Sequence, residues 1–207
     1  MRIALATCED LPEWEVDDRP FHDALRSRHI DFDQPCWSDP KVDWSSYSCC
    51  LIRTTWDYAN RCEEFIAWAE RTAALTRLLN PIETIRWNTC KSYLKDLEST
   101  GIPVIPTHWL ESGESFDLRG ILDAHGWDTG FIKPRIGATA RATFRFDPAD
   151  GSLLDAQRHL AGLLETEAAL VQPYLSSVEE VGERSAIFID GVLTHAVEKI
   201  PAPGDYR

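Results

Sequence analysis

The chain has 207 residues, 43% of them apolar, enough to bury a core as one large domain or two small ones and to fold as a globular protein. Its formal net charge of -13 excludes a long nucleic-acid footprint, because a surface that tracks phosphates needs clustered Lys and Arg. No run approaches the roughly 18 apolar residues of a membrane span and no leader opens the chain, so a cytoplasmic protein with no membrane and no nucleic-acid partner is expected.

Residues 2–8 (RIALATC) read as a short apolar strand; after a polar loop, FHDALRSRHI spaces Phe21, Leu25 and Ile30 along one helix face. DFDQPCW reads as a second strand, and SCCLIRT at 48–54 as a third, of the continuously apolar kind buried in a parallel sheet. Asn60 and Glu63 form a capping-box start for a helix carrying Phe65, Trp68, Thr72, Leu75 and Leu79, which should run to Asn80-Pro81. Asn88 then caps a helix with Tyr93, Leu94 and Leu97 on its apolar side, ended by Gly101 and Pro103.

From Val104 the pattern changes to strand VIPT, helix DLRGILDAH, strands FIKP and ATFRF, helix LLDAQRHLAGLL and strand ALVQPY. RSAIFID and VLTHAVEK flank a turn at Asp190-Gly191 and read as a hairpin. An α/β layer followed by an α+β region is therefore the predicted fold class.

Lysine is scarce, occurring only as Lys41, Lys91, Lys95, Lys133 and Lys199, so each can be weighed. Lys133 ends a strand and precedes RIGATARATFRF, a strand-loop-strand of small residues able to close backbone N-H groups over a polyphosphate. The spacing is neither a Walker loop nor a dinucleotide fingerprint, and a solvated edge charge is the plain alternative. Lys91 falls in the predicted first turn of its helix, where the dipole disfavours a cation unless an anion binds there; an exposed surface lysine is again the alternative. The six cysteines show no Cys-x-x-Cys pair and the six histidines no metal-ligand spacing. At the end of the third strand, RTTWDY at 53–58 offers Arg53 for a carboxylate, Asp57 for an amino group, and Trp56 and Tyr58 as walls; a staple between strand and helix is the rival reading.

The ordered series NPIETIRWNTCKSYLKDLESTGIPVIPT, FIKPRIGATARATFRF, ALVQPYLSSVEEVGERSAIFIDG and HAVEKIPAPGDYR resembles the ATP-grasp superfamily, nearest to glutathione-synthetase-like and ribosomal-S6-modification-type ligases. LIRTTWDY is also similar to the cyclo-ligase of cycloserine biosynthesis. The resemblance implies a pre-ATP-grasp α/β domain over 1–80, a central subdomain with the phosphate loop over 81–172, and an adenine hinge with the start of a C-terminal subdomain over 173–207. It implies that Lys91 and Lys133 hold the ATP phosphates, that Gly137, Ala138, Thr139 and Arg141 belong to the covering loop, and that Gln172, Tyr174 and Leu175 form the adenine hinge. Glu183 then holds the ribose, while Lys199 and Arg207 face the transferred phosphate as catalytic cations. Family ligases bridge the phosphates with Mg2+ through late carboxylates; none is recognisable before Arg207, so the metal ligands are expected beyond the sequence and the chain is expected to be a truncated form, unstable or dimeric.

The implied activity is an ATP-dependent carboxylate-amine ligation through an acyl phosphate, with an amino acid or small peptide as substrate. Two other readings stay open: a nucleotide-binding protein without turnover, and a small-molecule-binding α/β domain whose lysines are surface charges.

Overall fold

The structure, a computed structural model, describes residues 1–11 and 18–200, which fall into two compact units. The first comprises residues 1–104 and 135–138, the second residues 105–134 and the chain from 139 on. Residues 81–104, assigned from the sequence to the central subdomain, thus pack with the first unit.

In the first unit, β1 (Arg2–Thr7), β2 (Asp31–Asp33), β3 (Cys49–Thr54) and β4 (Arg77–Leu79) form a wholly parallel sheet in the order β2-β1-β3-β4. The central strand β1 is covered on both faces, which is why Ile3, Ala4, Leu5 and Ala6 are consecutively apolar. Helix α1 (Arg19–Ser27) opens with Pro20, whose missing N-H is harmless in a first turn. Helix α2 (Cys62–Leu75) buries Phe65, Trp68, Ala69 and Thr72, the side chains that helical spacing stacks on one face. They meet Trp37 and Trp44 in an aromatic core: Phe65 lies edge-on to Trp37 at 5.4 Å and Trp44 edge-on to Trp68 at 5.2 Å. Such ring pairs add about 0.5–1.5 kcal/mol each beyond the area they bury.

Several boundaries differ from those the sequence predicts. A 3₁₀ turn occupies Trp56–Asn60, so α2 starts at Cys62, after Asn60 and not capped by it. It ends at Leu75, and residues 77–79 form β4 instead of a last helical turn; Leu79 continues the helical spacing only by coincidence, while Leu78 is buried beside β3. Strand β2 stops at Asp33, leaving a single bridge between Thr7 and Cys36. The next segment divides into α3 (Ile82–Thr89) and α4 (Tyr93–Ser99), so Asn88 lies inside the first helix and caps nothing.

The second unit holds an antiparallel sheet ordered β5-β8-β6-β7, made of β5 (His108–Leu110), β8 (Ala169–Pro173), β6 (Gly130–Pro134) and β7 (Phe144–Phe146). Strand β5 begins at His108, after VIPT: residues 102–106 adopt no regular structure. Helices α5 (Leu118–His125) and α6 (Leu153–Leu164) cover one face, and Leu118, Leu122, Ile132, Phe146, Leu160 and Val171 fill the space between. Gly130 is required at the start of β6, since a Cβ there would lie 2.1 Å from the Phe146 ring. A short helix, α7 (Ser177–Glu180), leads into the hairpin of β9 (Glu183–Ile189) and β10 (Val192–Lys199). Asp190 and Gly191 are both left-handed (φ 52° and 74°), the backbone that a two-residue hairpin turn demands.

Candidate functional site

In the second unit the alternation of β6 sends Gly130, Ile132 and Pro134 into the core and Phe131 and Lys133 to the opposite face. The Lys133 ammonium rests over the Phe131 ring, 4.9 Å from its centroid. Burial pulls the Lys133 pKa down from the ordinary lysine value, and the negative charge of Glu183 only partly offsets this. Glu183 pairs in register with Lys199 at the open end of the hairpin. Lys133, Glu183 and Lys199 are therefore brought to one part of this unit.

Opposite Phe131 in the ladder, Gln172 is 3% exposed and its amide donates to Thr107 Oγ1 at 2.9 Å. The ladder with β5 ends at the His108–Val171 pair, whereas β8 goes on to Pro173 with only β6 alongside. The strand thus leaves its sheet with one backbone edge past the ladder. Tyr174 follows, with the Arg145 guanidinium 4.0 Å above its ring and its hydroxyl donating to Glu179; Leu175 is 40% exposed.

The loop between β6 and β7 has an unusual backbone. Thr139, Ala140 and Ala142 have φ of 51°, 56° and 50°, three of the five non-glycine residues in the left-handed region among those described. Each costs of order 1 kcal/mol, and such strain concentrates at ligand-binding loops. The one glycine of this loop, Gly137, is not among them: side-chain-bearing residues take the turn that glycines usually take. Arg141 forms a two-pronged ion pair with Glu167, 2.9 and 2.7 Å, and this bond raises its already high pKa.

In the first unit, Lys91 stands in the turn before α4, whose N-cap is Ser92, and not in the first helical turn. Contrary to the sequence expectation, Lys91 is therefore not set against the dipole of a first helical turn; its ammonium donates to the Gly137 carbonyl at 2.9 Å, and its own N-H donates to the Arg135 carbonyl at 2.9 Å. Ala138 belongs to the same short stretch, and all of residues 135–138 pack with this unit.

RTTWDY does not converge on one group. Arg53 pairs with Asp18, its Nε 3.2 Å from Oδ2, and lies over Phe21. Asp57 accepts the Trp37 indole N-H at 2.7 Å, and Trp56 is 47% exposed. Tyr58 lines a cavity of about 180 Å³ with Thr55, Phe65, Asn80 and Asn88 at the carboxyl ends of β3 and β4. That is where open α/β sheets receive ligands. Arg207 lies outside the described residues. Among the described residues no group of three His, Cys, Asp or Glu could hold a metal ion.

Sequence reasoning missed Asp18, Thr107, Phe131 and Glu167, each the partner of a residue it singled out. Only the alternation in FIKP carried a signal, placing Phe131 beside Lys133. Nothing distinguishes Asp18 or Glu167 among 34 acidic residues, because their pairings span distant parts of the chain.

A parallel α/β layer followed by an antiparallel sheet, with a hairpin beyond, is the arrangement of the ATP-grasp ligases. Solved ATP-grasp structures share it at low identity. The RimK domain protein from Sphaerobacter thermophilus is 16% identical with a TM-score of 0.63 over 84% of this chain and 64% of that one. D-alanyl-alanine synthetase A from Vibrio cholerae is 14% identical with a TM-score of 0.69 over 99% and 69%. The crystal structure of D-cycloserine synthetase DcsG is much nearer: 33% identical, TM-score 0.85, covering 97% of this chain and 68% of that one. Residues 3–80 match the family described as D-cycloserine synthetase DcsG, N-terminal domain, and the cycloserine biosynthesis protein DcsG of Streptomyces lavendulae is 36% identical over 190 residues. The chain belongs to the DcsG family of ATP-grasp proteins. It spans 62% of the length of that curated relative and is itself covered for 89% of its length.

Proposed function

We propose that the chain binds ATP and serves an ATP-dependent carboxylate-amine ligase acting on an amino acid or small peptide. In this reading Lys91 and Lys133 hold the phosphates, the loop from Gly137 through Thr139 to Arg141 covers them, the strand exit at Gln172, Tyr174 and Leu175 reads the adenine edge, and Glu183 holds the ribose hydroxyls. A substrate carboxylate oxygen bonds to the γ-phosphorus as the bond to ADP breaks; an amine nitrogen then bonds to the acyl carbon, phosphate leaves, and the nitrogen gives its proton to water. Lys199, with Arg207, neutralises the charge that gathers during transfer. Binding and orientation carry the catalysis, and no protein nucleophile is needed.

The observation that carries this reading is Lys133: a desolvated ammonium kept over an aromatic ring and beside a strained small-residue loop fits a polyphosphate site and serves no evident structural purpose. Magnesium belongs to the proposed reaction, but the described residues supply no ligand cluster for it and no step is assigned to them on its account. Arg53 and Tyr58 are proposed for the substrate side, Tyr58 as a wall of the β3–β4 cavity. All six cysteines are free thiols, which suits a reducing cytoplasm.

Calorimetry with ATP tests the binding half, and phosphate release over a panel of amino acids and dipeptides tests the ligase half. The expected result is saturable ATP binding, weakened at least tenfold, about 1.4 kcal/mol, by Lys133→Ala. A well-folded chain that takes up no ATP would remove the proposal altogether.

A further inference from the structure

The first unit holds a larger cavity, of about 460 Å³, that shares no lining residue with the one beside Tyr58. Its walls are the indoles of Trp37, Trp44 and Trp68, and one side is the α2 stripe Trp68, Arg71, Thr72 and Leu75, spaced i, i+3, i+4 and i+7. Two polar atoms of that stripe lack a partner. Trp68 Nε1 and Thr72 Oγ1 are buried with no hydrogen bond among the described residues, in side chains only 3% and 0% exposed. A buried donor left unmade is costly, and native proteins tolerate few of them. An indole N-H can only donate, so whatever satisfies Trp68 must bring an acceptor.

The charges around the cavity sharpen that requirement. Arg61 is held by Glu64 at 2.6 Å and lies over Trp37, so neither charge is available to a ligand. Asp39 accepts the Lys41 N-H at 2.9 Å. Arg71, exposed at the rim, forms no ion pair among the described residues. A donor N-H, a hydroxyl and an uncommitted guanidinium therefore follow one another along a helix face opposite aromatic walls. The volume is far above that of a single water and falls in the range of small-molecule pockets.

We infer that this cavity is a second ligand site, separate from the proposed ATP and substrate positions, and that it takes a small carboxylate with an aromatic or branched apolar body. The carboxylate pairs with Arg71 at the rim and, as the cavity wall shifts to uncover the two buried groups, accepts from Trp68 Nε1 and Thr72 Oγ1, while the body packs on Trp37 and Trp44.

Phenylacetate is a suitable probe, with its neutral amide, phenylacetamide, as the control. The indole N-H resonances of the 15N-labelled full chain would be followed during titration to about 20 mM, a range that reads millimolar affinity, with the Trp68 signal assigned by Trp68→Phe. The expected result is a saturable downfield shift of the Trp68 N-H, binding at least tenfold weaker in Arg71→Ala, and phenylacetamide also at least tenfold weaker. Arg71 is exposed, so Arg71→Ala keeps the fold, which the near-UV circular dichroism of the tryptophan cluster checks; Thr72→Val, a change of similar shape, should weaken binding severalfold. A Trp68 resonance that does not respond overturns the site. Equal binding of acid and amide, or unchanged affinity in Arg71→Ala, overturns the carboxylate assignment.

Discussion

Lys91 in the first unit and Lys133 in the second both adjoin the loop that follows β6 in sequence, yet the protein treats their ammonium groups differently. Lys91 donates to a backbone carbonyl at 2.9 Å, and its neighbours in that unit are similarly answered: Arg53 by Asp18, Arg61 by Glu64. The Lys133 ammonium makes no hydrogen bond or ion pair among the described residues, is desolvated, and has the face of Phe131 and the field of Glu183 for support. A satisfied cation contributes to folding; a desolvated one is carried at a loss and points to a ligand. The difference teaches which lysine to suspect when a sequence offers two.

The largest test concerns the platform on which Lys133 stands. Strand β6 packs over Phe146, which is 1% exposed, and Phe146→Ala should cost about 3–5 kcal/mol in a urea titration. Gly130→Ala forces a methyl against the same ring and should cost about 1–3 kcal/mol, less when combined with Phe146→Leu. Strict additivity of the pair would mean that Gly130 and Phe146 do not touch as described.

Next comes the paired cation of the first unit. Removing Arg53 leaves Asp18, whose side chain is 6% exposed, as a nearly buried carboxylate without its partner. Arg53→Ala should lower stability by about 2 kcal/mol. If stability does not change and substrate binding does, Arg53 belongs to the pocket and not to the framework.

Lys133→Met should act in the opposite sense, raising stability while weakening ATP at least tenfold, about 1.4 kcal/mol. The pH dependence gives the sign independently. Because the folded-state pKa lies below the unfolded one, the unfolded chain binds more protons between the two values, so wild-type stability gains from this group as pH rises through that alkaline window. Lys133→Met lacks that gain. A variant less stable than wild type at every pH would show that the ammonium is a structural anchor.

Much of this frame was legible in the sequence, and the lapses have a common cause. The bounds of α6 and β10 follow the residues expected, since a sustained helical or alternating pattern leaves little choice of face. Strand β4 escaped because three residues are too few for a period, and Arg77–Leu79 continued the helical spacing of α2. Of the candidate site, the position of Lys133 at a strand end was legible because a local rule applies there, whereas contacts made with distant partners were not. Arg141 was expected at phosphates and is clamped by Glu167, 26 residues away; Asp57 was expected to meet a substrate amine and holds Trp37, 20 residues away.

The smallest effect belongs to Lys91. Its side chain donates a charge-assisted hydrogen bond to Gly137, while the backbone bond from its own N-H to Arg135 survives any substitution but proline. Lys91→Ala should therefore cost about 1 kcal/mol or less of stability, as the backbone bond to Arg135 is kept. The same variant decides whether the carbonyl is the final partner of this ammonium or a resting one. If the ammonium exchanges Gly137 for a phosphate, ATP affinity falls by more than stability does, and Lys91→Arg, which keeps the charge but not the compact donor, recovers only part of it. If affinity and stability fall together and slightly, Lys91 acts through the loop alone, and the contrast between the two lysines becomes one between a tether and a ligand group.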